Sequence, residues 1–297
     1  MTVVETQNLG KTYKNGVEGL TGLTVSIGKG RIFGLLGPNG SGKTTTVRCL
    51  NGTLTPTTGT YRVLGDQRDS EDLRRRTATL SESAAMYANL SVAENLMFFG
   101  TLYGLQKDDI QGRINELLSR LGLAEKAALK LGSFSTGMKK RVQLARTILH
   151  RPELVFLDEP TSGLDPEASL EVIQLIQSLA RDEGMTVLLC THNLPLAERI
   201  CDDYGFLAEG RLVYTGTRDE TLGAGTGARI LEVGWKKDSR SPLEVETFRF
   251  EDETKIGGLV RSVLDDGKVL VSVNERKRSL EDAYLDIVSN GRHRGEV

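Results

Sequence analysis

The sequence has few cysteines and no long apolar run, and both absences narrow the possible classes of protein. Its three cysteines, Cys49, Cys190 and Cys201, form no C-x-x-C pair and no metal-site spacing, and one must stay unpaired. This usage favours a reducing cytosol over a disulfide scaffold. No apolar stretch approaches the roughly 20 residues that a membrane-spanning helix needs, and the N-terminus has no apolar signal segment. We therefore expect the chain itself to stay out of the bilayer.

An excess of charge of either sign is also absent. The chain carries 38 Lys and Arg against 40 Asp and Glu, a formal net charge of -2, with the two signs interspersed. Without a basic excess it has no global attraction for nucleic acid, so we expect no nucleic-acid partner. Its 297 residues suffice for one large domain or two of ordinary size.

The segment GPNGSGKTT, residues 37–45, fits the phosphate-binding pattern G-x-x-x-x-G-K-[ST]. An apolar strand precedes it and a Thr-rich helix start follows it, which is the order of a parallel-sheet nucleotide fold. The glycines let backbone N–H groups point inward, Lys43 reaches the outer phosphates, and the Thr44 hydroxyl is a ligand for Mg²⁺. The predicted phosphate-binding residues are Gly37, Asn39, Gly40, Ser41, Gly42, Lys43, Thr44 and Thr45.

Further candidate residues follow two more apolar strands. LVFLDEP, residues 154–160, ends in two carboxylates: we expect Asp158 to bind the metal and Glu159 to polarise a water for attack on the γ-phosphorus. His192 ends the strand TVLLCTH, and ligands of parallel sheets lie beyond the strands' carboxyl ends. We therefore expect His192 at the same edge, within reach of the γ-phosphate. Cys190 beside it invites a nucleophile interpretation, but a small core residue is favoured.

The stretch GSFSTGMKKRVQLA, residues 132–145, predicts a second helix start suited to an anion. Ser135 is a good N-cap, and Gly137 lets a ligand approach the backbone closely. The cations at 139–141 lie in the first turns, where an anion would offset their unfavourable interaction with the helix dipole. Tyr13, in KTYKNG, is a candidate for stacking on adenine, and an ordinary strand aromatic is the open alternative.

The remaining pattern predicts a helical middle and a separate C-terminal domain. Ser91 and Glu94 form a capping box, and Asp165 followed by Pro166 begins a helix. The predicted apolar face of that helix comprises Leu170, Ile173, Ile176 and Leu179. Beyond the Gly-rich residues 222–230, alternating strands and short amphipathic helices predict a small α+β domain. The expected domains are 1–222, with a helical subdomain at about 82–150, a hinge at 223–229, and 230–297.

In their order, these parts resemble the nucleotide-binding domain of an ATP-binding cassette (ABC) protein over residues 1 to about 220. FSTGM at 134–138 holds the position of the family's LSGGQ signature. The segment SGLD, which ends at Asp165, is similar to the family's D-loop. The segment TH, which ends at His192, is similar to the segment that carries the family's switch histidine. The resemblance implies an α/β P-loop NTPase with a mixed sheet, a helical subdomain and an antiparallel β subdomain. It also implies a head-to-tail dimer with a second copy or with a homologous cassette. In that dimer ATP lies between the phosphate loop of one chain and the signature residues of the other, which are Ser135, Thr136 and Gly137 in this sequence.

The C-terminal part, with its phrase SLEDAYL, resembles exporter ATPases for drugs, antibiotics or ions whose permease is a separate membrane chain. The resemblance implies ATP and Mg²⁺ as cofactors, Glu159 and His192 as the catalytic pair, and a position on the cytoplasmic face of the membrane. When the sequence is aligned with the family backwards from YANLSV, the glutamine of the family's Q-loop corresponds to Glu82. The negative charge of Glu82 would alter ATP engagement or the Mg²⁺ dependence of the ATPase. The alternatives are that the Glu82 side chain turns to solvent, or that this alignment is shifted by one residue.

Two other functions stay open. ABC ATPases that act on ribosomes or DNA resemble fused cassettes or carry a long coiled coil, whereas this chain has one cassette and no sustained heptads. The second is a regulatory subunit that hardly hydrolyses ATP. The presence of Glu159 argues against this function, whereas Glu82 at the Q-loop position is compatible with it.

Overall fold

The computed structural model describes residues 1–67, 70–81, 86–223, 229–238, 240–250, 253–265 and 267–293. The chain divides into two compact units, Met1–Thr215 and Gly216–Val297. This division precedes the predicted boundary at residue 222, because the short helix Arg218–Leu222 packs against the C-terminal helix Leu280–His293. Most of the predicted hinge, residues 224–228, lies outside the described residues.

The first unit is built on a six-stranded sheet. Its strands and those of a smaller sheet are β1 (Thr2–Thr12), β2 (Glu18–Gly28), β3 (Ile32–Leu36), β4 (Thr58–Val63), β5 (Thr77–Leu80), β6 (Leu154–Asp158), β7 (Thr186–Thr191), β8 (Asp203–Ala208) and β9 (Arg211–Thr217). The large sheet has the order β5-β6-β7-β3-β8-β9 and is parallel from β5 to β8, while β2-β1-β4 is antiparallel. Strands β3, β6 and β7 are buried almost throughout, as expected of central parallel strands covered on both faces.

Helices cover the large sheet and form the predicted helical middle. They are α1 (Lys43–Leu50), α2 (Glu71–Arg76), α3 (Val92–Leu102), α4 (Lys107–Arg120), α5 (Thr136–Ile148), α6 (Pro166–Asp182) and α7 (Leu194–Ile200). The predicted capping box is confirmed at the start of α3: Glu94 N donates to Ser91 Oγ at 3.2 Å, and Ser91 N donates to Glu94 Oε2 at 2.7 Å. Within the ranges given above, no helix has both the length and the apolar character needed to cross a bilayer.

The apolar face predicted for α6 is confirmed at Ile173, Ile176 and Leu179, which are buried, but is wrong at Leu170, which is 38% exposed. The buried stripe includes Ala168 and Val172. Residue 170 lies about 200° around the helix from both of them, at 100° per residue, and so faces away from the core.

The second unit is the predicted α+β fold. Its elements are α8 (Arg218–Leu222), β10 (Arg229–Lys236), β11 (Glu244–Phe250), α9 (Ile256–Asp265), β12 (Val269–Lys277) and α10 (Leu280–His293). The strands form an antiparallel sheet in the order β11-β10-β12. Its core comprises Leu231, Val233, Trp235, Phe250 and Val263. The expected cap of α10 is present, since Asp282 N donates to Ser279 Oγ at 3.2 Å.

Candidate functional site

Three neighbouring strands bring the candidate residues to one edge of the large sheet. β6, β7 and β3 are adjacent and parallel, so their carboxyl ends meet at the same edge. The phosphate loop follows β3, Asp158 and Glu159 lie at the end of β6, and His192 comes directly after β7. His192 therefore shares this edge with the phosphate loop, as the order of motifs predicts.

The shape of the phosphate loop depends on glycine. At Gly42, where φ is +107°, a Cβ atom would lie 2.6 Å from the carbonyl oxygen of Gly19. A Cβ atom at Gly37 would lie 2.2 Å from the carbonyl oxygen of Leu207. Any other residue would force the backbone apart at both positions. The loop thus keeps its backbone close to the neighbouring segments and leaves a space open beside it.

Groups suited to an anion surround that space. Lys43 is 6% exposed, and its Nζ donates to the carbonyl oxygens of Gly37 at 2.7 Å and Pro38 at 3.0 Å. Ser41 is 3% exposed, and its Oγ has no hydrogen-bond partner among the described residues. Helix α1 begins at Lys43 without a side-chain cap. A buried cation, an unsatisfied hydroxyl and an open helix N-terminus together fit a chain of phosphate groups.

Thr44 and Asp158 meet although they are 114 residues apart in the chain, and Thr44 Oγ1 donates to Asp158 Oδ2 at 3.0 Å. Hydroxyl and carboxylate oxygens are ligands that Mg²⁺ accepts, and this ion takes most of its remaining ligands from water and phosphate. The pair therefore fits Mg²⁺ bound together with a nucleotide.

Glu159 combines an uncommon backbone conformation with a carboxylate that is held from several sides. Its φ is +47°, in the left-handed region, and its N–H donates to the carbonyl oxygen of Cys190 at 3.0 Å. Oε2 accepts from Thr191 Oγ1 at 2.8 Å, and Oε1 accepts from His192 N at 2.9 Å. Such backbone conformations persist where the surroundings over-determine them, and they cluster at functional sites.

The His192 ring also contacts Glu159, with Nδ1 2.6 Å from Oε1. The His192 side chain is 59% exposed and that of Glu159 is 17% exposed. An ionised carboxylate can only accept hydrogen bonds, so Nδ1 carries the proton in this pair and Nε2 is left for another partner. The two predicted catalytic residues therefore form one hydrogen-bonded unit.

A cavity of about 340 Å³ lies beside Glu159 and the phosphate loop, and His192 is not among the residues that line it. It is lined by Tyr13, Val17, Glu18, Gly19, Asn39, Gly40, Gly42, Lys43, Thr44, Thr45, Asp158 and Glu159. The Tyr13 hydroxyl lies 3.0 Å from Thr45 Oγ1, which joins the candidate adenine-stacking ring to the phosphate-loop helix. Residues 17–19 also line the cavity and are not predictable from the sequence, because their residue types carry no signal of a site.

The start of α5 lies outside that cavity. Ser135 is the N-cap, with Oγ accepting from Met138 N at 3.2 Å, and both Ser135 and Thr136 are exposed. A Cβ atom at Gly137 would lie 3.3 Å from Leu164 Cδ2, so this glycine packs beside the D-loop. Of the residues that line the cavity, none is Ser135, Thr136 or Gly137. Within one copy, the phosphate loop and this helix start do not enclose a common space.

Two charged residues near the start of α5 have partners within the chain. Asp165, in the D-loop, caps α6 through Oδ1, which accepts from Ala168 N at 2.8 Å. Arg141 donates to the carbonyl oxygen of Leu121 at 2.8 Å and to Glu171 Oε2 at 2.5 Å. The cationic cluster predicted at 139–141 is therefore reduced, because Arg141 holds α5 against α6 instead of facing an external anion.

Two predicted residues remain, Cys190 and Glu82, and the structure describes only the first of them. Cys190 is fully buried, and burial raises the pKa of its thiol well above the ordinary value, which agrees with a core residue and not with a nucleophile. Glu82, at the predicted Q-loop position, lies outside the described residues.

Known proteins match this chain over most of its length. The ABC transporter family model matches residues 20–162. The bacitracin transport ATP-binding protein BcrA of Bacillus licheniformis is 37% identical over 71% of this chain and 69% of its own length. The daunorubicin/doxorubicin resistance ATP-binding protein DrrA of Streptomyces peucetius is 37% identical over 82% of this chain and 73% of its own. A solved ATP-binding subunit of an ABC transporter is 30% identical, with a TM-score of 0.68, over 75% of this chain and 93% of that one.

Proposed function

Since this chain belongs to the ABC transporter family of ATPases, we propose that it powers export through a membrane permease carried on a separate chain. Export is supported by the relatives, one named for bacitracin transport and one for daunorubicin/doxorubicin resistance. The observation that carries the mechanism is the separation of the phosphate-loop cavity from the helix start at Ser135.

Two copies then pair head to tail, each placing its Ser135 helix start over the phosphate loop of the other. The exposed Ser135 and Thr136, and the first N–H groups of α5 that precede the capped N–H of Met138, are suited to the phosphate groups held by the partner. A two-fold axis makes both sites equivalent. Closure excludes water from the nucleotide, and hydrolysis separates the copies again.

Each residue at the sheet edge has a role in hydrolysis. Lys43 and the loop N–H groups bind the phosphate chain, and Thr44 and Asp158 would hold Mg²⁺. When bound there, Mg²⁺ would supply positive charge to offset the negative charge of the phosphate chain. Glu159 orients and polarises the attacking water, and His192 offers Nε2 to the γ-phosphate while Nδ1 stays on Glu159. Tyr13 supports the adenine from the cavity wall.

We place the permease contact on α3 and the segment before it, which follows the Q-loop position. Tyr87, Phe98 and Leu102 are 50%, 45% and 71% exposed, and the rings of Tyr87 and Phe98 pack edge to face at 5.2 Å. Adjoining exposed apolar side chains are typical of interaction sites. This contact would hold the ATPase on the cytoplasmic face of the cell membrane.

ATP turnover by the purified chain and by Glu159→Gln tests the enzymatic part. We expect Glu159→Gln to bind ATP but to turn it over at least about a hundredfold more slowly. Glu125→Gln, which neutralises an exposed carboxylate outside the cavity, is the control and should retain the wild-type rate. Equal, near-background rates for wild type and Glu159→Gln would contradict hydrolysis and favour a regulatory subunit.

Purification of the tagged chain from membranes tests the transport part. Recovery of a stoichiometric protein with several membrane spans, lost when Tyr87 and Phe98 are replaced by serine, would support the permease contact. Recovery without any membrane protein would favour an ATPase that is not coupled to transport.

A further inference from the structure

The buried hydroxyl of Thr191 links Glu159 to the loop that carries His192. Thr191 is the last residue of β7 and is 0% exposed. Its Oγ1 donates to Glu159 Oε2 at 2.8 Å and accepts from Asn193 N at 3.0 Å. Asn193 in turn caps α7, its Oδ1 accepting from Leu196 N at 3.0 Å. The hydroxyl is thus hydrogen-bonded to both the carboxylate of Glu159 and the N-cap residue of α7.

The direction of the hydrogen bond to Glu159 is fixed by this arrangement. A threonine hydroxyl has one hydrogen to donate. The N–H of Asn193 can only donate, so it occupies an acceptor site on Oγ1. The single hydroxyl hydrogen of Thr191 is therefore available to Glu159 Oε2, since Asn193 N cannot accept it.

The two oxygens of Glu159 differ in the exposure of the side chains that contact them. Oε1 is held by His192 through the backbone N–H and the ring, and the ring belongs to a side chain that is 59% exposed. In the proposed function the His192 ring also faces the γ-phosphate through Nε2. The buried Thr191 hydroxyl is the donor that does not contact the nucleotide, and it holds Oε2 in place.

We propose that Thr191 is a positioning residue that fixes the carboxylate of Glu159 during ATP hydrolysis, an assignment that rests on the proposed function of Glu159. Thr191 does not line the nucleotide cavity, so it acts on the rate of the chemical step and not on ATP binding. A small displacement of a group that orients a reactant reduces the rate by as much as about a hundredfold. We expect removal of the hydroxyl to lower kcat about ten- to a hundredfold, with KM for ATP changed less than about twofold.

Three substitutions at Thr191 and one control separate positioning from a general structural effect. Thr191→Val has nearly the same shape but no hydroxyl, Thr191→Ser keeps the hydroxyl, and Thr191→Cys has only a weak donor. Thr186→Val is the control, because Thr186 is also a 0% exposed residue of β7 whose Oγ1 accepts a backbone hydrogen bond, from Gly30 N at 3.0 Å. It lies at the amino end of β7, away from the catalytic edge.

Steady-state ATP turnover is measured for each variant beside wild type and Glu159→Gln. We expect Val to be slow, Cys to be intermediate, and Ser and the Thr186→Val control to stay within about threefold of the wild-type kcat. If Val does not fold, Ser and Cys still test the proposal through their ratio.

Three results would overturn the role of Thr191 while the proposed function stands: a Val variant with wild-type kcat, a Ser variant as slow as Cys, or equal losses in Thr191→Val and Thr186→Val. Wild-type turnover that equals that of Glu159→Gln would instead overturn the proposed function, and the positioning role with it.

Discussion

Replacing Ser135 by alanine should separate ATP binding from ATP-driven dimerisation. In the free chain, the Ser135 Oγ atom accepts one hydrogen bond, from Met138 N at 3.2 Å, and the residue is exposed. Loss of an N-cap of this kind costs about 1 kcal/mol. Folded domains have free energies of unfolding of about 5–15 kcal/mol. The Ser135→Ala chain should therefore fold and keep its phosphate loop intact.

The expected effect on the dimer is much larger than the effect on the fold. A hydrogen bond to a charged group contributes about 1.5–3 kcal/mol. Two-fold symmetry places Ser135 in both sites, so the dimer loses about 3–6 kcal/mol in total. At about 1.4 kcal/mol per tenfold change, the dissociation constant should rise by about 10²- to 10⁴-fold. The α5 dipole remains in the variant and favours the lower end of this range.

Light scattering in the Glu159→Gln background measures this effect, since slow hydrolysis lets the ATP-bound dimer accumulate. ATP binding by the monomer is measured separately by equilibrium dialysis at chain concentrations below the dimer dissociation constant. Ser70→Ala is the matched control, because Ser70 caps α2 through a single bond from Leu73 N at 3.0 Å and does not line the nucleotide cavity. In the Glu159→Gln background, Ser70→Ala should form the ATP-bound dimer to the same extent as Glu159→Gln alone.

Two results would refute this reasoning. If Ser135→Ala binds ATP as poorly as Lys43→Ala, the phosphate loop and the α5 helix start are not separate sites. If instead Ser135→Ala dimerises with ATP as well as Ser70→Ala does, the partner's phosphate groups do not depend on Ser135.

The central part of the candidate site is predictable from the sequence because each piece is local. GPNGSGKTT carries its turn, its cation and its helix start within nine consecutive positions, and its strand and helix flanks are visible beside it. Placing His192 beside Asp158 needs only one further rule, that parallel strands meet ligands at their carboxyl ends. The order β6-β7-β3 agrees with that rule.

The parts that the sequence does not reveal depend on partners distant in the chain. From the sequence, Arg141 is predicted to be one of three cations near an anion, but α6 brings Glu171 within 2.5 Å of it. The role of Thr191 depends on a carboxylate that is 32 residues away. The threonine at the end of the strand TVLLCT was the available signal. Threonine is common in strands, so the residue type alone does not identify a contact with Glu159.

Two further predictions concern Glu82 and the second unit. From the sequence, Glu82→Gln should change the ATPase rate or its Mg²⁺ dependence by several-fold, since unit charges ~5 Å apart at an effective dielectric of about 20 repel by roughly 3 kcal/mol. Unchanged kinetics across a Mg²⁺ titration would remove Glu82 from the mechanism. In the second unit, hydrogen bonds from Arg276 and Ser279 hold the pKa of the Asp282 carboxyl well below its usual range. A carboxylate with a depressed folded pKa stabilises the fold above its unfolded pKa of about 3.9 and loses that contribution as the pH falls. With Arg276 partly exposed, Asp282→Asn should cost about 1–2 kcal/mol at neutral pH and flatten the acid dependence of unfolding below about pH 5. Urea unfolding followed by the fluorescence of Trp235, the single tryptophan of the chain, reports on this unit, and an unaltered acid dependence in the variant would mean that Asp282 is not the titrating group.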